Sequence, residues 1–488
     1  MGIAKHGACP LALALLLTAC GGGGSGDADG GNGAGSGGLV VPAWSERIEP
    51  FEPKAAPVPT PASQPRRGAA IDAVRMPLIA LGPLPSHLLK AVAASGAAGA
   101  PRQIGHARAL AATAGASATA ALLQWQPTDH GTQVAALRFA SEGARGLRLG
   151  VRVHGLPPGT VLRFAAVHGA LVVDDRELQA IAERNARAGA SDEVAHTYWG
   201  PDSGTDEATL EIEIPAAAAS AAVRLAVPRL AHFVMTAADA EHAVSLKAAA
   251  AGCQVDLSCQ PEYLDQGRSV ARMTYVAEDG NAYYCTGTLL NDSASSGTPY
   301  FLSAQHCIPS QVVAATLETD WFYRSARCGS AQAAAGVRRV RGGATLLYAA
   351  AGSDTAFMRL NGSMPAGVIY AGSYYGSLPL GQPLAGVHHA DGGLQRLSLG
   401  ALLGYGSCSQ SGCSAVDDGG DYLRLRWYQG MTEPGSSGSG AFVTIGARRY
   451  LVGPLHGGNA SCDNPSGVDF YGRFERSYHQ ALRRWLSP

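Results

Sequence analysis

Charged residues are scarce in this chain, and lysine is the scarcest of them. Only 15% of the 488 residues are charged, and the net charge is −1 at neutral pH. This balance excludes a strongly basic nucleic-acid-binding protein and a polyacidic protein, so no nucleic-acid partner is expected. Lysine occurs four times, at Lys5, Lys54, Lys90 and Lys247, and the chain after residue 247 contains none.

Long apolar runs are missing after the first 20 residues, so no membrane-spanning helix is predicted there. The chain starts MGIAKHGACPLALALLLTAC, in which a basic residue precedes an apolar run that is typical of a signal peptide. The end of this run, Leu17-Thr18-Ala19-Cys20, resembles the bacterial lipobox, whose cysteine becomes lipidated. An ordinary signal peptide is the alternative. We expect residues 1–20 to direct export and a lipid on Cys20 to anchor the protein to a membrane of the bacterial cell envelope.

The first half of the chain divides by composition. Residues 21–120 are rich in Gly, Pro, Ala and Ser, which predicts a flexible tether. Residues 121–247 alternate apolar and polar residues, as in QVAALRFA and ATLEIEIP, with one helical pattern in DRELQAIAERNARA. This pattern predicts a mainly β domain. Its segment HTYWGPD, with His196, Tyr198 and Trp199, is interpreted as packing and turn residues rather than as a site.

Cysteine is absent between Cys20 and Cys253, and eight cysteines follow. An even number of cysteines in an exported domain predicts four disulfides. The chain has no CxxC pair, so a zinc site is not expected, and no metal or organic cofactor is predicted. The eight residues are Cys253, Cys259, Cys285, Cys307, Cys328, Cys408, Cys413 and Cys462.

Residues 248–488 read as short strands separated by turns, for example ARMTYVA, AYYCTGTLL and RYLVGPLHGG. Regular strand-and-turn spacing over this length predicts an all-β barrel or sandwich. The last stretch, RSYHQALRRWLSP, has a helical period and is predicted to close the domain.

Three segments of this second half carry residues that acyl transfer by serine requires. His306 ends the segment YFLSAQH, Asp354 precedes the apolar run TAFMRL, and Ser437 lies in the glycine-rich turn TEPGSSGSGAF. A hydroxyl is a weak nucleophile that needs a neighbouring base, and a carboxylate fixes the tautomer of that base. The glycines permit a tight turn whose N–H groups can stabilise an oxyanion. We predict a serine hydrolase site.

Residues 248–488 resemble the chymotrypsin-type serine proteases, and within them the bacterial lysyl endopeptidases. The segments CQVDLSC, YCTGTLLND…YFLSAQHC, GMTEPGSSGSGAF and LHGG…C…DFYGR carry the resemblance. It implies a chymotrypsin-like double β-barrel with a C-terminal helix, preceded by a mainly β pro-domain. It implies that His306 is the general base, that Asp354 orients it and that Ser437 is the nucleophile. The N–H groups of Gly435 and Ser437 would form the oxyanion hole.

The resemblance also implies disulfide pairs and a substrate pocket. Cys253 would pair with Cys462, Cys259 with Cys328 and Cys285 with Cys307, which leaves Cys408 and Cys413 to close a small loop. Asp469 corresponds to the acidic residue of the pocket for the side chain before the scissile bond (the S1 pocket). The strand with His456, Gly457 and Gly458 would bind the substrate backbone and form one wall of that pocket. His456 has a rival interpretation, because glutamate-specific relatives use a histidine near this position.

Two observations favour lysine over arginine as the recognised residue. The bond between Lys247 and Ala248 precedes Cys253 by the spacing at which lysyl endopeptidases begin their mature chain, so we predict processing there. The chain from Ala248 onward has no lysine and 17 arginines, so an enzyme specific for lysine could not digest itself. Compositional bias is the alternative explanation.

The sequence therefore predicts an exported serine endopeptidase that cleaves after lysine and is made as a zymogen. Its expected partners are protein or peptide substrates, its own pro-domain (121–247) and a membrane, through the lipid anchor, with release of the protease domain (248–488) after processing. One alternative is the same fold with a preference for Arg/Lys or Glu. Another is a non-catalytic, protease-like surface lipoprotein.

Overall fold

The computed structural model describes residues 45–54, 76–94, 96, 100–166, 170–409, 412–417 and 419–488, without the side chains of residues 93–94 and 247–251. The predicted signal peptide, Cys20 and much of the predicted tether lie outside the described residues. No helix in the described part of the chain is long and apolar enough to cross a membrane.

The N-terminal domain is mainly β, as its alternating pattern predicts. A short strand, β1 (Arg47–Ile48), precedes it. Its strands are β2 (Leu78–Leu81), β3 (Arg102–Ala109), β4 (Gln126–Pro127), β5 (Thr132–Ser141), β6 (Gly146–Gly155), β7 (Val161–Ala165), β8 (Leu171–Asp174), β9 (Thr197–Trp199), β10 (Glu207–Pro215) and β11 (Arg224–Phe233). Its helices are α1 (Ser86–Ala94), α2 (Ala116–Leu122), α3 (Asp175–Arg187) and α4 (Asp192–Ala195).

Two sheets of this domain enclose an apolar core. One sheet has the order β2-β5-β10-β7-β8, and the other contains β3, β11, β6 and β9. Leu137, Leu149 and Leu210 lie between them and are fully buried. Helix α3, which matches the predicted helical insert, begins where the Asp174 side chain accepts the N–H of Glu177 at 2.8 Å.

The C-terminal domain follows helix α5 (Ala237–Ala251) and consists mostly of short strands. They are β12 (Val255–Asp256), β13 (Val270–Val276), β14 (Ala282–Leu290), β15 (Tyr300–Ala304), β16 (Glu318–Trp321), β17 (Arg338–Val340), β18 (Ala344–Ala350), β19 (Thr355–Leu360), β20 (Gly372–Tyr374), β21 (Pro383–His388), β22 (Arg396–Ser409), β23 (Gly412–Val416), β24 (Tyr422–Gln429), β25 (Gly440–Ile445), β26 (Arg448–Gly458) and β27 (Asp469–Gly472). Its helices are α6 (Leu264–Gly267), α7 (Gln311–Ala314), α8 (Phe474–Ser477) and α9 (Arg483–Leu486), with a π-helical turn, Tyr478–Leu482, between the last two.

These strands form two barrels, as in chymotrypsin-like proteases. The first contains β13 to β19 around a core that includes Met273, Phe301 and Trp321. The second closes on itself, because β26 pairs with β25 on one side and with β27 on the other. Closure leaves the second barrel without an unpaired edge. The predicted C-terminal helix packs Phe474 and Leu482 against apolar residues of both barrels.

Strand β3 joins the two domains into one sheet. It pairs antiparallel with β11 of the N-terminal domain and with β14 of the C-terminal domain. A second link is the ion pair between Glu241 of α5 and Arg396 of β22, at 2.6 Å with both side chains about 5% exposed. In a third, Arg148 of β6 donates to the carbonyl of Thr316 at 3.0 Å.

The prediction of a flexible tether up to residue 120 is wrong for its described residues. Strands β1 to β3 and helix α1 lie before residue 121, and helix α2 begins before it. β1 pairs with β20, and Ile48 is buried in the C-terminal domain. The partners of these short strands lie far later in the chain, and local composition does not reveal such pairings. The predicted boundary at Lys247–Ala248 lies within α5.

The four predicted disulfides are confirmed by the structure. They join Cys253 to Cys462, Cys259 to Cys328, Cys285 to Cys307, and Cys408 to Cys413. The first ties the start of the C-terminal domain to the segment before β27. The last joins directly paired residues of the β22–β23 hairpin.

Candidate active site

His306 and Asp354 meet at the end of two neighbouring strands. β15 and β19 run antiparallel with Ala304 opposite Thr355, so the residues just after β15 lie beside the residue just before β19. The Nδ1 atom of His306 lies 2.6 Å from Oδ2 of Asp354, and the His306 main-chain N–H donates to Oδ1 at 2.9 Å. The first contact orients the imidazole, and the second holds the carboxylate against the His306 backbone.

Asp354 is buried in a strained backbone conformation. Its φ is 45°, a region that favours glycine, and its side chain is 4% exposed. Backbone strain of this kind often accompanies functional sites. Burial by itself raises the pKa of Asp354, but His306 and His456 outweigh it and hold that pKa below its usual value. The carboxylate is thus ionised and accepts hydrogen bonds.

A second histidine, His456, binds the same carboxylate. Its Nδ1 lies 2.6 Å from Oδ2 of Asp354, and its ring meets that of His306 edge-on, with centroids 5.8 Å apart. The ring of Tyr422 packs 5.1 Å away from it. The sequence predicts that His456 belongs to the substrate-binding strand. It lies near the end of β26, and its contact with Asp354 was not predicted.

Ser437 lies in a tight loop that the first barrel holds in place. The hydroxyl of Thr286 donates to the carbonyl of Gly435 at 2.9 Å, and the Thr286 N–H donates to the carbonyl of Ser437 at 2.8 Å. Gly438 packs so closely that a Cβ there would lie 2.0 Å from Oγ of Ser303. Glycine is therefore required at this position.

The neighbouring Ser436 is engaged elsewhere. Its hydroxyl lies 2.9 Å from Nδ1 of the buried His388 and accepts the N–H of Glu433 at 3.1 Å. Nε2 of His306, by contrast, is shielded from solvent without a hydrogen-bond partner among the described residues. These contacts make Ser436 a structural residue of the loop, and the structure shows no hydrogen bond between His306 Nε2 and Ser437.

A segment of the N-terminal region reaches the loop of Ser437. The N–H of Gly435 donates to the carbonyl of Ala100 at 3.1 Å. Ala100 and Pro101 line a cavity of about 670 Å³ together with His306, His456 and Gly457. The main-chain carbonyl of Ala100 therefore accepts the hydrogen bond of one of the two N–H groups predicted to stabilise the oxyanion.

Asp469 lies next to this cavity at the start of β27. It is 1% exposed, and its Oδ2 accepts hydrogen bonds from Nε1 of Trp427 at 2.7 Å and Oγ1 of Thr432 at 2.6 Å. Burial raises its pKa to about 6. It pairs across the sheet with Gly458, where an added Cβ would lie only 2.6 Å from Oδ1 of Asp469. The acidic residue and the predicted substrate-binding strand are thus adjacent.

Comparison with known families matches both parts of the chain. Residues 248–472 match the lysyl endopeptidase C-terminal domain, and residues 80–234 match the lysyl endopeptidase N-terminal domain. A lysyl endopeptidase of Pseudomonas aeruginosa is 31% identical over 383 residues, which cover 75% of this chain and 78% of that protein. The chain belongs to the lysyl endopeptidase family. This membership makes it a serine endopeptidase that acts on proteins or peptides.

Solved structures are more distant from this family member. The active form of a protease from M. tuberculosis is 13% identical, with a TM-score of 0.32, and the match covers 47% of this chain and 86% of that chain. The thermostable serine protease AL20 from an extremophilic microorganism is 13% identical, with a TM-score of 0.31, and the match covers 46% of this chain and 99% of that chain.

His306, Asp354 and His456 also form a group with metal-ligand spacing, with ligand atoms within 4.8 Å of one another. In this endopeptidase both histidines already contact the same carboxylate oxygen. A metal ion would have to replace those two hydrogen bonds. The sulfur atoms near the site, in Cys285, Cys307, Cys408 and Cys413, are held in disulfides.

Proposed function

We propose that this serine endopeptidase hydrolyses peptide bonds on the carboxyl side of lysine and is made as a zymogen. The observation that carries the proposal is the pair of hydrogen bonds from His306 to Asp354 beside the loop that holds Ser437. Base and orienting acid are positioned as serine catalysis requires, and Asp469 supplies a buried negative charge next to the same cavity.

In the proposed mechanism, the Ser437 hydroxyl attacks the scissile carbonyl and His306 Nε2 takes its proton. Asp354 keeps the proton on Nδ1 and stabilises the imidazolium that forms. The N–H groups of Gly435 and Ser437 donate to the oxyanion, and the departing amine takes the proton from His306. Water then hydrolyses the acyl-enzyme by the same steps. His456, whose Nδ1 lies 2.6 Å from Oδ2 of Asp354, would hold that carboxylate in position.

Three observations support lysine as the preferred residue. Asp469 is ready to pair with an ammonium group, since a buried carboxylate without a cationic partner is costly. It would repel a glutamyl side chain, which disfavours the glutamate alternative. The lysine-free chain after Lys247 and the lysine before Ala248 favour lysine over arginine. Arginine remains the second candidate.

The zymogen proposal rests on the contact between Ala100 and Gly435. A main-chain carbonyl at the oxyanion donor mimics a bound substrate and excludes a real one. The methyl group of Ala100 offers no cation to Asp469, so this segment would block the site without being a good substrate. The pairing of β3 with β14 holds it there.

Release would require cleavage between Lys247 and Ala248. This bond lies within α5, and proteases bind substrates in extended form, so the last turns of the helix must unwind first. We further propose that Cys20 is lipidated and that the protein is exported to the cell envelope, as the lipobox-like end of its signal sequence suggests.

The experiment compares purified wild type with Lys247→Gln and Lys247→Arg variants. N-terminal sequencing should find a chain that begins at Ala248 in wild type, none in Lys247→Gln, and slow formation in Lys247→Arg. Matched peptides with lysine, arginine or glutamate before the scissile bond then rank the specificity. Equal cleavage after lysine and arginine, with normal processing of Lys247→Arg, would replace lysine specificity with a general trypsin-like one. No cleavage of any peptide would favour the non-catalytic alternative.

A further inference from the structure

The cavity beside His306 is lined by two separate parts of the second barrel. One side consists of His456, Gly457 and Gly458 at the end of β26. The opposite side consists of the β22–β23 hairpin, through Gly412, Cys413 and Ala415. The disulfide between Cys408 and Cys413 crosslinks this hairpin. The cavity is therefore a groove between the end of β26 and a hairpin that a disulfide crosslinks.

Arg424 forms part of the floor of this groove. In the sheet, Arg424 of β24 lies opposite Phe470 of β27, and Phe470 lies opposite Gly457 of β26. Directly paired residues of antiparallel strands point to the same face. Gly457 has no side chain, and its φ of 145° disfavours any other residue. No side chain of Gly457 therefore covers its cross-strand neighbours Phe470 and Arg424, and both line the cavity.

The guanidinium of Arg424 has no partner in the described part of the chain. Its Nε is shielded from solvent without a hydrogen bond, and no carboxylate of a described residue forms an ion pair with it. Other arginines of the same domain are paired: Arg272 with Asp320 at 2.6 Å, and Arg396 with Glu241 at 2.6 Å. A partly buried cation without an anion is unfavourable, so this site favours an anion brought by a ligand.

We propose that Arg424 forms a subsite for an acidic side chain of the substrate, two to four residues before the scissile bond. This proposal rests on the proposed function and names its substrate class. A peptide anchored by lysine at Asp469 runs along β26, and its extended backbone directs alternate side chains to opposite faces. The uncovered space over Gly457 receives one of them. A planar guanidinium binds a carboxylate through two parallel hydrogen bonds, which favours Asp or Glu there.

The test uses the processed enzyme and peptides that share lysine before the scissile bond. Glutamate, glutamine or lysine is placed in turn two, three or four residues before that bond, and kcat/KM is measured. At one of the three positions, wild type should prefer glutamate over glutamine by about tenfold, the size expected of a hydrogen-bonded charge pair that water partly reaches. Rising salt concentration should weaken that preference.

Variants assign the preference to the residue. Arg424→Gln should abolish it while the glutamine peptide is cleaved as before, and Arg424→Glu should shift the preference to lysine at the same position. Arg426→Gln is the matched control, since Arg426 is an exposed side chain two residues along the same strand. It should behave as wild type.

The outcomes separate this proposal from the proposed function. Cleavage after lysine with equal rates for glutamate and glutamine at all three positions overturns the subsite alone. So does a glutamate preference that survives in Arg424→Gln. Failure to cleave any lysyl peptide refutes the proposed function and the subsite with it. The comparison of glutamate and glutamine peptides uses the wild-type enzyme alone. It therefore tests the subsite even if a variant fails to fold.

Discussion

The two domains are both built from antiparallel strands, but different interactions stabilise them. The N-terminal domain has no cysteine and relies on its apolar core, with Leu137, Leu149 and Leu210 fully buried. The C-terminal domain carries four disulfides and buries Asp354 and Asp469 at the candidate site. Covalent crosslinks therefore stabilise the C-terminal domain, whereas the N-terminal domain depends on the packing of its apolar core.

The domains also differ in chemistry. The candidate nucleophile, base and acidic pocket residue all lie in the C-terminal domain. The N-terminal region supplies the main-chain carbonyl of Ala100, and its strand β3 pairs with β14 of the C-terminal domain. Its own groove near His196 lies against α3, away from these residues. The contribution of the N-terminal region to the site is thus geometric rather than catalytic.

The largest expected effect tests where the chemistry resides. Ser437→Ala should lower kcat/KM by about 10⁴-fold or more, because the nucleophile and base act as a unit. The His196→Ala precursor, changed in the N-terminal domain, should be processed like wild type and yield enzyme of full activity, and circular dichroism should show that both variants fold. Substantial activity in Ser437→Ala, or its loss in His196→Ala, would contradict this division between the domains.

The next effect tests the difference in covalent stabilisation. The Cys253–Cys462 disulfide spans 209 residues, so replacing both cysteines by serine should lower the free energy of unfolding by about 5 kcal/mol on the chain-entropy account. The measurement is urea unfolding in a Ser437→Ala background, which prevents self-digestion. A probe in the N-terminal domain, the fluorescence of Trp125 or Trp199 isolated by substitution of the other tryptophans, should report a smaller change. An equal change in both domains would show that they unfold as one unit.

Asp469 should give a smaller effect whose sign depends on pH. Burial raises its pKa to about 6, so the stability that its protonated form contributes is present at low pH and is lost as pH rises through 6. Asp469→Asn removes this loss. The variant should therefore gain about 2–3 kcal/mol of unfolding free energy over wild type between pH 4 and pH 8. The measurement is urea unfolding of the two proteins at both pH values.

The same residue predicts a change in activity. Asp469→Asn should lose roughly 2–5 kcal/mol of transition-state binding for lysyl peptides, because their ammonium would lack a partner. In wild type, the ratio of kcat/KM for lysyl over norleucyl peptides should fall as pH drops through about 6. This ratio cancels the titration of the catalytic base. A ratio independent of pH would place the determinant of specificity elsewhere.

Much of the C-terminal domain could be predicted from the sequence, because its strands and its site lie in local motifs. His306, Asp354 and Ser437 each adjoin an apolar strand, and the eight cysteines are all in one half of the chain. The contact of His456 with Asp354 could not be predicted in this way. The two residues are 102 positions apart in the sequence, and strand periodicity does not show which distant strand ends meet.

The N-terminal region was predicted less well, and for a related reason. The alternating pattern indicated a mainly β domain, but β3 lies before residue 121, in a stretch rich in alanine and glycine that we predicted to be a tether. That strand is ordered by partners in β11 and β14, which are distant in the sequence. Non-local pairing also explains why Ala100 could not have been placed at Gly435. Arg424 was overlooked because one arginine in an apolar strand carries no motif.

The smallest expected effect concerns the Cys408–Cys413 disulfide. It spans only 5 residues, and its cysteines already face each other in the β22–β23 hairpin. The unfolded chain gains little freedom when so short a loop opens, so replacing both cysteines by serine should cost about 2 kcal/mol of unfolding free energy. Thermal unfolding in the Ser437→Ala background measures this loss against that of the 209-residue disulfide. A loss as large as that of the long disulfide would mean that the hairpin belongs to the cooperative core. The stability of the C-terminal domain would then depend on the wall of its substrate groove, and the contrast between the domains would rest on where disulfides lie more than on how many there are.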